Sequence, residues 1–162
     1  MKHATTISTL IVFFLTGIQA AFAINNDEQI NQIIQNKTAP AGVVFEIATS
    51  KANSLEWALP KAQSYIKILR TKFPDLAITI VTHGSEQFSL QTKNTSQYKK
   101  VHSLTQQLVK ENDVPLHVCG TYASWKNIEK EDFPDYVDVT AEGPATIKDY
   151  VNLGYTLIKI KK

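Results

Sequence analysis

The sequence predicts an α/β domain, a three-layer α/β/α sandwich around a mainly parallel five-stranded sheet, and three observations carry that expectation. Five short runs rich in Val, Ile, Leu, Phe and Tyr alternate with stretches whose apolar residues recur at helical spacing. The first two runs, Gly42 to Ile47 and Leu76 to Thr82, read as continuous rather than alternating, the pattern of strands covered on both faces. No Asn-Gly or Asp-Gly pair joins two apolar runs, so tight hairpins lack their usual turn. Right-handed crossovers between parallel strands then place helices on both faces of the sheet.

Residues 1–23 have the three parts of an export signal. Met1-Lys2-His3 is a short positive start, Ile7 to Ile18 is an apolar run, and Ala21-Phe22-Ala23 is a small-x-small cleavage site, with cleavage expected after Ala23. The apolar run is shorter than the roughly 20 residues a membrane span needs, and no later run approaches that length. No cysteine stands near the cleavage site to take a lipid. Residues 24–41 read as a short helix, carried by Ile30, Ile33 and Ile34 after Asp27-Glu28, and a linker through Thr38-Ala39-Pro40; disorder is the alternative for this polar stretch. The domain proper is expected over 42–162.

After the first strand, Leu55, Leu59, Ala62, Ile66 and Leu69 keep helical spacing, with Ser54 at the start. Pro60 must either kink that helix or begin it, and Phe73-Pro74-Asp75 ends it. The second strand runs into His83-Gly84. Ser85 to Gln97 is polar and loop-like, with a turn at Gln87 to Leu90, and Tyr98, Val101, Leu104 and Leu108 define a helix ending near Asn112-Asp113. The third strand, Pro115 to Val118, stops at Cys119 and turns on Gly120. A helix is expected to start near Thr121, with its hydroxyl as N-cap, and to continue to about Ile128. The charged connector Glu129 to Asp132 leads to a fourth strand, Tyr136 to Val139. Gly143-Pro144 opens a helix striped by Ile147, Tyr150 and Val151, Gly154 caps it, and Tyr155 to Ile160 is the fifth strand.

Composition narrows the function classes. The chain carries a net charge of +2, and without Lys2 it keeps 16 basic residues against 15 acidic ones. Lys99-Lys100 and Lys159 to Lys162 are too short for a nucleic-acid or membrane patch, so neither partner is expected. Six scattered glycines build no GxGxxG or P-loop, and there is no GxSxG elbow. His83, His117 and Cys119 could hold a metal in principle, but no CxxC, HExxH or carboxylate cluster supplies the usual spacing. No metal and no cofactor are expected.

Cys119 is the one cysteine, so an internal disulfide is ruled out and the thiol is inert and buried, paired between chains, or reactive. A thiol delivered by a strand to a helix start meets unpaired N–H groups and a positive dipole end, which favour the thiolate. His83-Gly84 repeats the arrangement one strand earlier. In an open parallel sheet, ligands sit beyond the carboxyl ends of the strands, and Ser50, His83, Gly84, Cys119, Gly120 and Thr121 all fall there. His83 is a candidate proton shuttle or orienting group, or a strand-end cap. Ser50-Lys51 could meet an anion or be a solvated loop. His117 shares a strand face with Cys119 and reads as a satisfied core histidine, whereas His102 reads as surface or boundary.

Glu56-Trp57-Ala58-Leu59, Ile80-Val81-Thr82-His83-Gly84, Val118-Cys119-Gly120 and Gly154-Tyr155, in this order, resemble the DsrE/DsrF-like sulfur-relay family, specifically its small exported members, from about Gly42 to Ile160. The resemblance implies the three-layer fold, frequent homo-oligomers, and a cysteine that carries sulfur as a persulfide and hands it to a partner. Cys119 stands at the carrier position. The expected protein is therefore a periplasmic or secreted sulfur carrier more than a turnover enzyme, exchanging sulfur with a donor or acceptor protein or a small sulfur compound. The alternative is a non-catalytic oligomeric binding module that keeps Cys119 buried.

Overall fold

The computed structural model of the chain describes residues 25–162; the export signal read at residues 1–23 lies outside them. Helix α1 (Asn26–Gln35) starts at Asn25, whose side chain accepts from the backbone N–H of Glu28 at 2.8 Å. Its apolar stripe, Ile30 and Ile33, is buried in the core. Asn26 holds it to the far end of the chain, donating to the carbonyl of Lys159 at 2.7 Å and accepting from the N–H of Lys161 at 3.1 Å. The Tyr65 hydroxyl donates to Asp27 at 2.6 Å; burial, and then this carboxylate, push its pKa up.

Strand β1 (Gly42–Ile47) is followed by α2 (Leu55–Lys72), β2 (Ile78–Thr82), α3 (Lys99–Lys110), β3 (Leu116–Cys119), α4 (Gly120–Ser124), β4 (Asp138–Thr140), α5 (Gly143–Asn152) and β5 (Tyr155–Lys159). The five strands form one sheet in the order β4-β3-β2-β1-β5, and every pairing is parallel. From β1 to β4 the chain steps in one direction, so right-handed crossovers put α2 and α3 on one face. The return from β4 to the far side of β1 reverses direction, and the same hand puts α5 on the other.

The two layers are unequal. Val43, Phe45 and Ile47 of β1 join residues of α1, α2 and α3 in the main core. The alternate residues face α5, where Val44, Val81 and Ile147 form a small second core flanked by Tyr150, Tyr155 and Leu157. By strand alternation and register, Glu46, His117 and Cys119 also lie on the α5 side, so this face carries the polar chemistry.

Four local expectations need correction. Helix α2 contains Pro60 at its sixth residue and begins at Leu55, preceded by a 3-10 turn at Ala52–Ser54; Ser54 makes no side-chain cap. Ser85 to Asn94 is two 3-10 segments, Ser85–Leu90 and Thr92–Asn94, and Glu86, Gln87, Ser89 and Leu90 are fully buried in the first of them. Helix α4 has only five residues and ends well before Ile128, and Thr121 does not cap it: its hydroxyl donates to the carbonyl of Ala141 at 2.9 Å. His102 is buried, not at the surface, between the Tyr136 hydroxyl at 2.6 Å and the Ser89 carbonyl at 3.0 Å. Among the described residues no helix is long and apolar enough to cross a membrane.

Candidate functional site

The strands β1 to β4 end along one edge, and a pocket of about 610 Å³ lies just beyond them. Each strand end contributes to its wall: Thr49 and Ser50 after β1, His83 to Ser85 after β2, Cys119 and Thr121 at the end of β3, Glu142 and Pro144 after β4. Of the residues expected there, Ser50, His83, Gly84, Cys119 and Thr121 line the pocket. Gly120 does not. A Cβ on it would stand 2.9 Å from the Thr140 carbonyl oxygen, so this glycine lets the chain turn against β4.

Cys119 is 5% exposed, and its backbone is held by a side chain. Strand β2 stops at Thr82, opposite Val118, which leaves the next residue of β3 without a neighbour on that side. The Gln87 amide fills the gap, accepting from the Cys119 N–H at 2.8 Å and donating to its carbonyl at 3.2 Å. Gln87 is thereby a one-residue extension of the sheet. Glu86 beside it ties the loops after β1 and β2 together. One carboxylate oxygen accepts from the Thr82 hydroxyl (2.5 Å) and the Gly84 N–H (2.8 Å), the other from the Thr49 N–H (2.6 Å) and hydroxyl (2.8 Å). A buried carboxylate is costly unless so surrounded, and these four donors fix the rim of the pocket. Gly84 leaves room for them, since a Cβ there would stand 2.4 Å from the Glu86 carboxylate.

His83 does not hydrogen-bond Cys119. Its Nε2 meets Glu46 Oε1 at 3.0 Å, and the other oxygen of Glu46 meets Lys159 Nζ at 2.9 Å. The His83 hydrogen bond lowers the Glu46 pKa, burial opposes this, and Lys159 lowers it further. A carboxylate facing Nε2 selects the tautomer with the proton there, which leaves Nδ1 with the lone pair. Gly143 brings the two candidate residues together. A Cβ at this position would stand 2.6 Å from the Cβ of His83 and 3.4 Å from that of Cys119, so the first turn of α5 rests on both. Cys119 is the N-cap of the short α4, and the N-terminus of the ten-residue α5 adjoins the thiol as well.

His117 lies deeper on the same face, satisfied by Asp138 at 2.7 Å through Nδ1 and by the Tyr150 hydroxyl at 3.0 Å through Nε2. Among the described residues no three His, Cys, Asp or Glu side chains converge as a metal site would require. The far wall of the pocket is aromatic. Tyr122 packs on Phe88 (centroids 5.2 Å apart) and bonds Ser85 at 3.0 Å, and Trp125, 73% exposed, stands edge-on to it at 6.0 Å.

Sequence reasoning missed Glu46, Gln87, Glu86, Tyr122, Trp125 and Gly143. Glu46 had a usable signal, as the one charge inside an apolar strand. Gln87 and Glu86 had none, because a polar run reads the same whether it is solvated or folded over a strand end.

The family described as DsrE/DsrF-like matches residues 43–160. No curated protein matches the chain. Among solved structures, MTH1491 from Methanobacterium thermoautotrophicum, a protein of unknown function, shares 20% identity at a TM-score of 0.56, over 72% of this chain and 96% of its own. The ychN protein from E. coli shares 14% at 0.55, covering 73% and 98%. BT1422 from Bacteroides thetaiotaomicron, also of unknown function, shares 10% at 0.51, covering 72% and 94%. At these identities the likeness is one of fold.

Proposed function

Since the chain belongs to the DsrE/DsrF-like family, we propose that it is a sulfur carrier in which Cys119 cycles between thiol and persulfide. One observation carries the reading: the single cysteine lines a pocket at the carboxyl edge of the sheet, and the first turn of α5 touches both it and a histidine oriented by a carboxylate. His83, through Nδ1, takes the proton from the incoming thiol and returns it to the departing one. Ser50, Gly84 and Thr121 shape the pocket, and Gly120 sets the turn that presents Cys119. The export signal read at residues 1–23 supports a periplasmic or secreted setting. Family membership and the exposed Val151 and Leu153 on and just after α5 support a homo-oligomer, which sedimentation of the purified chain would test.

Mass spectrometry of the native protein after exposure to inorganic polysulfide tests the carrier reading. The expected result is a gain of one sulfur that is absent in Cys119→Ser and is lost again to an added small thiol. No gain in the folded protein, with a gain in the unfolded one, contradicts it. The 5% exposure of Cys119 favours that second outcome's reading, a non-catalytic oligomeric module whose cysteine is packing and whose pocket binds a ligand.

A further inference from the structure

The walls of the pocket say which sulfur compound it takes. Among the described residues no Lys or Arg lines it; Lys51 and Lys126, next to Ser50 and Trp125 in the sequence, are not part of the wall, and Lys159 is engaged by Glu46. The lining carries one carboxylate that no described cation pairs, Glu142, and a thiolate on Cys119 adds a second negative charge in the act of attack. The N-terminus of α5 offsets about half a charge. A sulfur oxyanion such as thiosulfate, a dianion, would enter against this balance, without the arginine or lysine that recognises such groups elsewhere. The rest of the wall sets the hydroxyls of Thr49, Ser50, Ser85 and Thr121 beside a larger carbon surface of Ala48, Pro144 and the rings of Tyr122 and Trp125. Tyr122 is fixed by Phe88 and Ser85, while Trp125 keeps most of its surface open to solvent beside it. A rigid ring with an exposed indole next to it is a stacking platform for an apolar group, and about 610 Å³ suits a small ligand.

The geometry points to an organic persulfide, R–S–SH, with an uncharged aromatic or alkyl R group as the sulfur donor, R lying against Tyr122 and Trp125 and the outer sulfur at Cys119. This rests on the sulfur-carrier reading above. The Cys119 thiolate attacks the outer sulfur, the new bond forms between Sγ and that sulfur, and the S–S bond to the inner sulfur breaks with its electron pair leaving on R–S⁻. The proton that left Cys119 passes by way of His83 to R–S⁻, so that Cys–SH and R–S–SH become Cys–S–SH and R–SH. One sulfane sulfur moves, and no external oxidant or reductant enters.

The test compares donors that share the reacting group and differ in R. Loading of Cys119 in the full mature chain is followed by mass spectrometry with benzyl persulfide, mercaptoacetate persulfide and thiosulfate. Benzyl persulfide is expected to load fastest and thiosulfate slowest. Trp125→Ala lowers the benzyl rate about threefold to tenfold and the mercaptoacetate rate by less; Glu142→Gln raises the rate for both anionic donors. Equal benzyl and mercaptoacetate rates, or thiosulfate as the best donor, overturn the inference and leave the carrier reading standing. Binding to Cys119→Ser, read from the part of the tryptophan fluorescence that Trp125→Ala removes, separates the two claims. If benzyl mercaptan binds in preference to mercaptoacetate while no persulfide loads the native chain, the ligand class holds and the carrier reading fails. If neither binds, the ligand class is overturned.

Discussion

Glu46 occupies Nε2 of His83, and this decides what the imidazole can do: the ring is held and the Nδ1 lone pair remains. His83→Ala should lower the rate of sulfur loading at Cys119 by about a hundredfold. Glu46→Gln keeps a hydrogen-bond acceptor but removes the charge, and the loss should be on the order of tenfold; equal rates in wild type and both variants would remove His83 from the chemistry. Gln87 acts through the backbone. Gln87→Ala leaves the buried N–H and carbonyl of Cys119 unpaired on the β2 side, which should cost about 3 kcal/mol in urea unfolding. His102 reports on pH. Burial lowers its pKa from the usual 6.5, only partly opposed by the bond to the Ser89 carbonyl. The unfolded chain therefore takes up a proton before the folded one, so stability is full above about pH 6.5 and falls as the pH drops from there towards the depressed value. The urea midpoint should decline across this window in wild type and stay flatter in His102→Gln.

At the scale of elements, the N-terminus of α5 closes the site, and Gly143 sets how near it comes. In Gly143→Ala the new methyl meets the Cβ of His83, an atom no rotamer can move, so the helix start must lift. A loss of about 1–3 kcal/mol is expected, with a change in Cys119 reactivity; a variant with wild-type stability and reactivity would contradict this role for α5. The strands and long helices were legible in the sequence because burial on both faces leaves unbroken apolar runs and helical burial leaves a stripe. The extent of α4 was not. The hydroxyl of Thr121 goes to Ala141 on another strand's loop, a partner distant in sequence. His102 was misread for the same reason, since its position between Val101 and Leu104 says nothing of Tyr136 or Ser89.

For the whole molecule, the sheet order brings residues from four separate strand ends into one pocket, and no local pattern reveals that His83 and Cys119 meet at Gly143. The sequence could say that Ser50, His83, Gly84, Cys119 and Thr121 belong to one edge, because parallel strands share their carboxyl ends. It could not supply the Glu46 bond, the Gln87 clamp or the aromatic wall, each of which requires the register of neighbours. Sulfur carriage by this site requires a nearly buried cysteine that is nonetheless a nucleophile reached from the pocket. The most direct measurement is the alkylation rate of Cys119 by iodoacetamide in the native protein, compared with its rate of global unfolding under the same conditions. Modification far faster than unfolding, and slowed by His83→Ala, is the expected result. A rate no faster than unfolding, unchanged by His83→Ala, would contradict the carrier reading.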